Sequence, residues 1–383
     1  MSSHPHILTP QQALSAAGAI YALKKGKNVK NSFKASLVND LFDFNNSASK
    51  FSAESGIFEF KQSAGFAAMA MGTGKYENHA ILVCRGTDGA KDWLSDLNIG
   101  AQISMSGHVV HAGFNRIYNQ FRDDMIRFID RNKASTIHCV GHSLGGALAN
   151  MAADTIIAHG KKAVLYTFGA PRVGVTSFAN KLSRHPRLGV NNIFRVYHSS
   201  DPVSMIPFFP FVHAPQPGGE YFLNKVLTIN PWDHKMGAYT NSLENIKSWK
   251  QIQNPHPSME AHADAWLKSD ETWRYCGLNV YNLGMAMKAI QILIKDTLTQ
   301  VWNVAGGVAT AGATILDQLS LAVSNAAKIS KEKEGMVMNV LRRILNMLGI
   351  KLNPNQSLTL AFIQFVFRSL SFALSRNVKI ALS

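Results

Sequence analysis

Gly141-His142-Ser143-Leu144-Gly145 sets a serine between two glycines, each two positions away. The run before it, Thr136-Ile-His-Cys-Val, reads as a short strand, and residues 145–159, rich in alanine, read as a helix. A serine at such a sharp strand-to-helix turn presents its hydroxyl from a strained backbone, and flanking residues without side chains let strand and helix approach closely. The helix N-terminus adds positive potential, and the N–H of Leu144 is aimed at a developing oxyanion. Such a group suits nucleophilic acyl transfer, in which a histidine removes the hydroxyl proton and a carboxylate orients that histidine. A G-x-S-x-G also arises by chance. Its weight here comes from the strand, the helix and Gly146-Ala147-Leu148 around it.

The elements that must position this serine follow an alternating pattern. From about residue 55 to 235, short β-branched runs at 56–61, 65–71, 80–85, 136–141, 163–168, 192–197 and 220–227 are separated by helical stretches at 114–132, 145–159 and 176–183. That alternation predicts an α/β sheet protein. An amphipathic helix over 13–23 is entered through Thr9-Pro10, with Thr9 as cap. After about residue 270 strands vanish and helical patterns take over, which predicts a domain over 1–270 and a helical, apolar and basic region over 271–383. There Leu283, Met287, Ile290, Ile294, Leu298 and Val301 recur at helical spacing, with Lys288, Gln291 and Lys295 opposite. Residues 297–316 carry no charge over a length that could span a membrane, but Gln300, Asn303, Gly306-Gly307 and several threonines favour a buried or interfacial helix pair.

Beyond the serine turn, further segments resemble the class 3 lipases, the fungal triacylglycerol lipase-like family of α/β-hydrolases. Val83-Cys84-Arg85-Gly86-Thr87, Asp92-Trp93-Leu94-Ser95-Asp96-Leu97, His111-Ala112-Gly113-Phe114 and Gly169-Ala170-Pro171-Arg172-Val173-Gly174 are similar to that family's segments and stand in family order, over about residues 10 to 245. The resemblance implies an α/β-hydrolase fold with an appended C-terminal helical region and a triad in the chain order Ser, Asp, His. Asp201, followed by Pro202-Val203 and Ile206-Pro207, resembles the acid segment. Asp88, Asp92 and Asp154 precede that segment or lie on the wrong helix. Two histidines compete for the base: His213 matches a histidine the family carries before its final strand, and His234, with Tyr239 five residues on, resembles the catalytic segment and is preferred. The resemblance also nominates Thr87 as the second oxyanion donor beside Leu144, and places Trp93 and Leu94 where the lipases carry a lid. Trp93 as plain core remains equally open. Phe208, Phe209 and Phe211 either wall an acyl pocket or merely pack.

The 383 residues are 46% hydrophobic and only 16% charged, which supplies a core and excludes wholesale disorder. The net charge of +15 invites an anionic partner. No zinc-type Cys/His spacing and no long basic run supports nucleic acid, so no nucleic-acid partner is expected. Cys84, Cys139 and Cys276 are an odd, scattered set, unlike a disulfide framework, and the first two read as small buried hydrophobes. The N-terminus does not read as a Sec signal peptide, so synthesis in the cytoplasm and a non-Sec route of export are expected. Residues 335–383 hold Arg342, Arg343, Lys351, Arg368, Arg376 and Lys379 and no acidic side chain, which suggests a membrane surface.

Together these features point to a serine esterase acting on a lipid, a phospholipase A first and an acylglycerol lipase next, with no metal or cofactor. The competing reading is a membrane-inserting or pore-forming protein whose C-terminal helices carry the activity; a third makes those helices a cover over the catalytic domain. The whole architecture also resembles the antibacterial phospholipase effectors of type VI secretion, which implies an immunity or chaperone protein as partner.

Overall fold

The computed structural model describes residues 6–25, 28–46, 48–55, 62–86, 100–215, 220–223, 228–252, 267, 277–295, 314–353 and 355–383. Its strands are β1 (Ser49–Ser55), β2 (Gln62–Met71), β3 (His79–Cys84), β4 (Ala101–Ile103), β5 (Val109–His111), β6 (Thr136–His142), β7 (Lys162–Phe168), β8 (Gly174–Val175), β9 (Ile193–Tyr197), β10 (Phe211–Val212) and β11 (Tyr221–Phe222). Seven of them form one sheet in the order β1-β2-β3-β6-β7-β9-β11. The first three pair antiparallel and the run from β3 to β11 is parallel. A smaller antiparallel sheet runs β10-β8-β5-β4.

The helices are α1 (Pro10–Ala19), α2 (Val29–Phe33), α3 (Ala112–Asn119), α4 (Arg122–Arg131), α5 (Leu144–Ala158), α6 (Thr176–Arg184), α7 (Met236–Leu243), α8 (Val280–Ile294), α9 (Ile315–Ala327), α10 (Lys331–Met347) and α11 (Leu360–Leu382). Mixed main sheet and flanking helices make an α/β-hydrolase fold, extended by the C-terminal helices.

Alternation along the strands divides the core in two. Leu82 and Cys84 face one apolar layer with Ile137, Cys139 and Leu165, while Ile81 and Val83 face the other with Val140, Val164 and Tyr166. Successive side chains of a strand point to opposite faces, so a parallel sheet covered on both sides reads as a continuous apolar run. β6 is buried along its whole length and sits between β3 and β7, which fixes the position of the residue that follows it.

Several expectations shift by a few residues. The helix expected over 114–132 is two helices, α3 and α4, with Phe121 between them. The turn there buries Phe121 completely, with its ring edge-on to Tyr118 and stacked on Phe51, a contact that one straight helix would forgo. The helix entered through Thr9-Pro10 starts at Pro10 as expected, with Thr9 and Gln12 forming a capping box; its α-helical part ends at Ala19 and it continues as a 3-10 turn to Lys25. Of the run over 220–227 only Tyr221 and Phe222 are described as strand. The strand expected at 56–61 lies outside the described residues, as do Thr87, Asp88, Asp92, Trp93, Leu94, Cys276, Leu298, Val301 and most of 297–316.

The boundary expected near residue 270 also falls outside them. The apolar faces of α8 to α11 continue one hydrophobic cluster with a face of the main sheet: Leu283, Ile290, Val340, Ile363 and Leu374 belong with Val203, Met205, Phe208 and Phe209. Leu283, Met287, Ile290 and Ile294 are buried as their spacing requires. Among the described residues no helix is long and apolar enough to cross a membrane. Cys84 and Cys139 are fully buried free thiols whose pKa burial pushes up, so they are unreactive core residues.

Candidate active site

β6 delivers the chain into a turn that α5 leaves at once. Ser143, between them, has φ 58° and ψ −133°, a backbone conformation that non-glycine residues rarely hold. The turn is this tight because α5 lies against the end of β3. A Cβ at Gly145 would stand 2.1 Å from the carbonyl oxygen of Cys84, so only glycine lets strand and helix meet. Leu144 is the first residue of α5, and first-turn N–H groups have no acceptor inside their helix.

Two other strand ends bring partners to the serine. After β9 the chain turns at Asp201, which caps the 3-10 turn Pro202–Met205 by accepting from the Val203 N–H at 2.8 Å. A second 3-10 turn, Pro231–His234, is stitched to it: the Asn230 N–H donates to the Ser200 carbonyl at 3.0 Å, and the Ser200 hydroxyl donates to Asp233. Asn230 caps this turn and its amide also holds Asp233, at 2.8 Å.

His234 thereby lies between Ser143 and Asp201. The Ser143 Oγ is 2.9 Å from His234 Nε2, and His234 Nδ1 lies 2.9 and 3.0 Å from the two Asp201 carboxylate oxygens. All three are buried. Burial alone would raise the Asp201 carboxyl, but His234, the Tyr239 hydroxyl and the Val203 N–H together hold its pKa below the usual carboxylate value. The Tyr239 hydroxyl donates to Asp201 Oδ2 at 2.7 Å. Burial pushes the Tyr239 pKa well up, so it stays a donor.

Gly169, at the end of β7, has φ +55°, and a Cβ there would meet Asp201 Oδ2 at 2.6 Å and the Tyr239 hydroxyl at 2.8 Å. That glycine clears space for the acid and its donor.

The structure brings together Ser143, Asp201, His234 and Leu144. His213 stands apart: its Nε2–H donates to the Ser204 carbonyl at 2.8 Å, and burial and nearby arginines push its pKa well down. Asp154 is buried on α5 and pairs with Lys181 at 2.8 Å. Phe208, Phe209 and Phe211 are buried, the last with its ring edge-on to His111, so they pack rather than line the serine cavity.

Other contributors escaped the sequence reading. His142 donates from Nε2 to the His234 carbonyl at 2.8 Å, accepts from the Tyr21 hydroxyl on Nδ1 at 2.8 Å, and stacks its ring on His234. His198 donates from Nδ1 to the Asp233 carbonyl at 2.7 Å and packs on Tyr239. The signal for His142 was its adjacency to the serine. Nothing local marks Tyr21, which comes from the N-terminal segment.

Burial first, then the neighbouring His234, drives the His142 pKa down to about 3; burial does the same to His138 inside β6. An unfolded chain protonates its histidines near pH 6.5, so between about pH 6 and 4 the unfolded state binds about two more protons than the fold at these positions. A depressed folded pKa contributes stability above the unfolded value and loses it as pH falls. Urea unfolding is therefore expected to show stability dropping by roughly 2–3 kcal/mol per pH unit across that window as these two groups charge in the unfolded chain. A flat profile would contradict their burial as neutral imidazoles.

Residues 81–211 match the family model for lipase (class 3). The secreted mono- and diacylglycerol lipase 1 of Fusarium solani is 30% identical over 152 residues, covering 38% of this chain and 44% of that protein. Phospholipase A1-II 4 of Oryza sativa subsp. japonica is 26% identical over 205 residues, covering 45% of this chain and 48% of that protein. The chain thus spans about half the length of the curated relatives it matches. Among solved structures, the Lip2 lipase of Yarrowia lipolytica is 23% identical, covering 57% of this chain and 79% of that one, with a TM-score of 0.41. The matched residues run from β3 through the Ser143 turn and Asp201 to Phe211, leaving only His234 of the relay beyond them. Over residues 81–211, which carry Ser143 and Asp201, the chain is thus similar to class 3 lipases.

Proposed function

We propose that this chain is a serine hydrolase of lipid carboxylic esters, a phospholipase A or lipase, working through Ser143, His234 and Asp201 and an acyl-enzyme. The observation that carries the reading is the buried relay in which His234 spans Ser143 and Asp201 with contacts of 2.9 Å on both sides.

His234 Nδ1–H donates to the ionised Asp201, which leaves Nε2 unprotonated and ready to accept the Ser143 proton. As that proton moves, Oγ attacks the ester carbonyl and the carbonyl oxygen becomes an oxyanion. The Leu144 N–H faces that charge, with the Thr87 N–H as the second proposed donor; one such donor contributes about 3–4 kcal/mol to the transition state. The imidazolium of His234, stabilised by Asp201, then gives its proton to the leaving alcohol oxygen and Ser143 retains the acyl group. Water, deprotonated by the same imidazole, releases the fatty acid and restores the hydroxyl.

Relatives described as a mono- and diacylglycerol lipase and as a phospholipase A1 support a lipid ester as substrate. The cavity beside Ser143 supports it too, since Met236, Ala381 and Leu382 give it an apolar wall. Pore formation by the C-terminal helices is not favoured, because their apolar faces are already buried in the shared core. Mass spectrometry of phospholipid vesicles and of diacylglycerol emulsions incubated with the protein tests the substrate. Lysophospholipid with free fatty acid is the expected product pair. Fatty acid from diacylglycerol alone would assign a lipase instead.

A further inference from the structure

The cavity beside Ser143 is small. Ser143 is 1% exposed and the cavity beside it measures about 190 Å³, below the roughly 300–1,000 Å³ of small-ligand sites. Two of its wall residues, Ala381 and Leu382, come from the last turn of α11, and both are buried. α11 packs on both 3-10 turns of the site, Pro202–Met205 and Pro231–His234. The helix therefore rests on the segments that carry Asp201 and His234, and its end walls the cavity beside the serine.

The opposite face of the same helix is exposed. Ala361, Phe365, Arg368, Phe372, Arg376 and Lys379 follow one another at steps of three and four, so they form a single stripe. Phe372 is 74% exposed and Phe365 51%. Between them and the loop after α10 lies a groove of about 650 Å³ lined by Leu348, Ile350, Phe365, Arg368 and Phe372. Arg368 also meets Asp317 of α9 at 3.1 Å. Exposed aromatic rings interleaved with arginine and lysine, in a segment without acidic residues, complement an interface with apolar tails under anionic headgroups.

We infer that the exposed stripe of α11 docks this chain on an anionic phospholipid bilayer, and that docking draws Ala381 and Leu382 away from Ser143. The inference rests on the lipid-ester reading for its purpose, but the docking itself does not need catalysis. One helix would then join the surface that holds the substrate to the cavity that receives it. A water-soluble ester, which offers no bilayer, would meet the small cavity.

Binding is measured on full-length Ser143→Ala, so that vesicles stay intact, by co-sedimentation with phosphatidylcholine vesicles with and without phosphatidylglycerol. Binding is expected only with the anionic lipid, and adding Arg376→Ala and Lys379→Ala is expected to lower partitioning about 30-fold. Phe372→Ser is expected to weaken it as well. In otherwise native protein, Leu382→Ala is expected to raise hydrolysis of a soluble butyrate ester about tenfold without lipid, by removing part of the wall beside Ser143. Equal binding with and without the basic pair would overturn the docking surface. So would a dimer in solution that Phe372→Ser dissolves, since the stripe would then belong to a second copy. Soluble-ester turnover unchanged by Leu382→Ala would overturn the coupling. Loss of all esterase activity in the native chain, with anionic binding intact, would instead remove the catalytic reading and leave the docking surface.

Discussion

Ser143→Ala is expected to lower ester turnover by about 10⁶-fold, with His234→Ala costing about as much and the double variant no worse than either. The non-additivity follows from the relay. His234 Nε2 has one proton to take, the one on Ser143 Oγ 2.9 Å away, and neither group does its work without the other. Structure should survive both changes, because the turn around Ser143 is set by β6, α5 and the close approach of Gly145 to Cys84 rather than by the hydroxyl. Steady-state rates on a lipid ester, with urea unfolding as control, measure this. Costs that simply multiply would mean that the two residues act separately.

Asp201→Asn is expected to cost about 10⁴-fold in kcat, the size of effect that follows when a triad carboxylate becomes an amide. The reason is local. Every group facing this carboxylate is a donor: His234 Nδ1–H, the Tyr239 hydroxyl and the Val203 N–H. An asparagine must turn its NH₂ toward one of them. Turned toward His234, it favours the tautomer protonated on Nε2, which cannot accept from Ser143. Turned toward Tyr239 or Val203, it leaves two buried donors in opposition, which costs about 1–3 kcal/mol of stability. The pH profile of kcat separates these outcomes from a purely structural role, because losing the carboxylate also removes the charge that stabilises the imidazolium. Activity within tenfold of the native chain would show that Asp201 only shapes the loop.

The serine was legible because its constraints are local: a glycine on each side, a strand before and a helix after, all within one stretch of sequence. Asp201 and His234 were legible only through the family resemblance, since each sits at the end of a different element. Between the two histidines, geometry separates what spacing left open: His213 spends its Nε2–H on the Ser204 carbonyl, whereas His234 spans Ser143 and Asp201. Tyr21 could not be foreseen, because the N-terminal segment reaches His142 only after folding. The break at Phe121 was hidden by a helical pattern that continues through it; an aromatic contact with β1 decides it. The three phenylalanines over 205–217 read equally as pocket or core until their burial was known. Least legible was α11, whose amphipathic pattern announced one buried face but not that its end walls the cavity beside the serine.

The proposed hydrolysis requires an acyl group to pass through Ser143. Native protein mixed with a slowly released long-chain ester and quenched in acid during turnover should carry one acyl adduct, mapped by peptide mass spectrometry to the segment containing Ser143 and missing from His234→Ala. Fatty-acid release with no adduct there, or with the adduct on another residue, would contradict it.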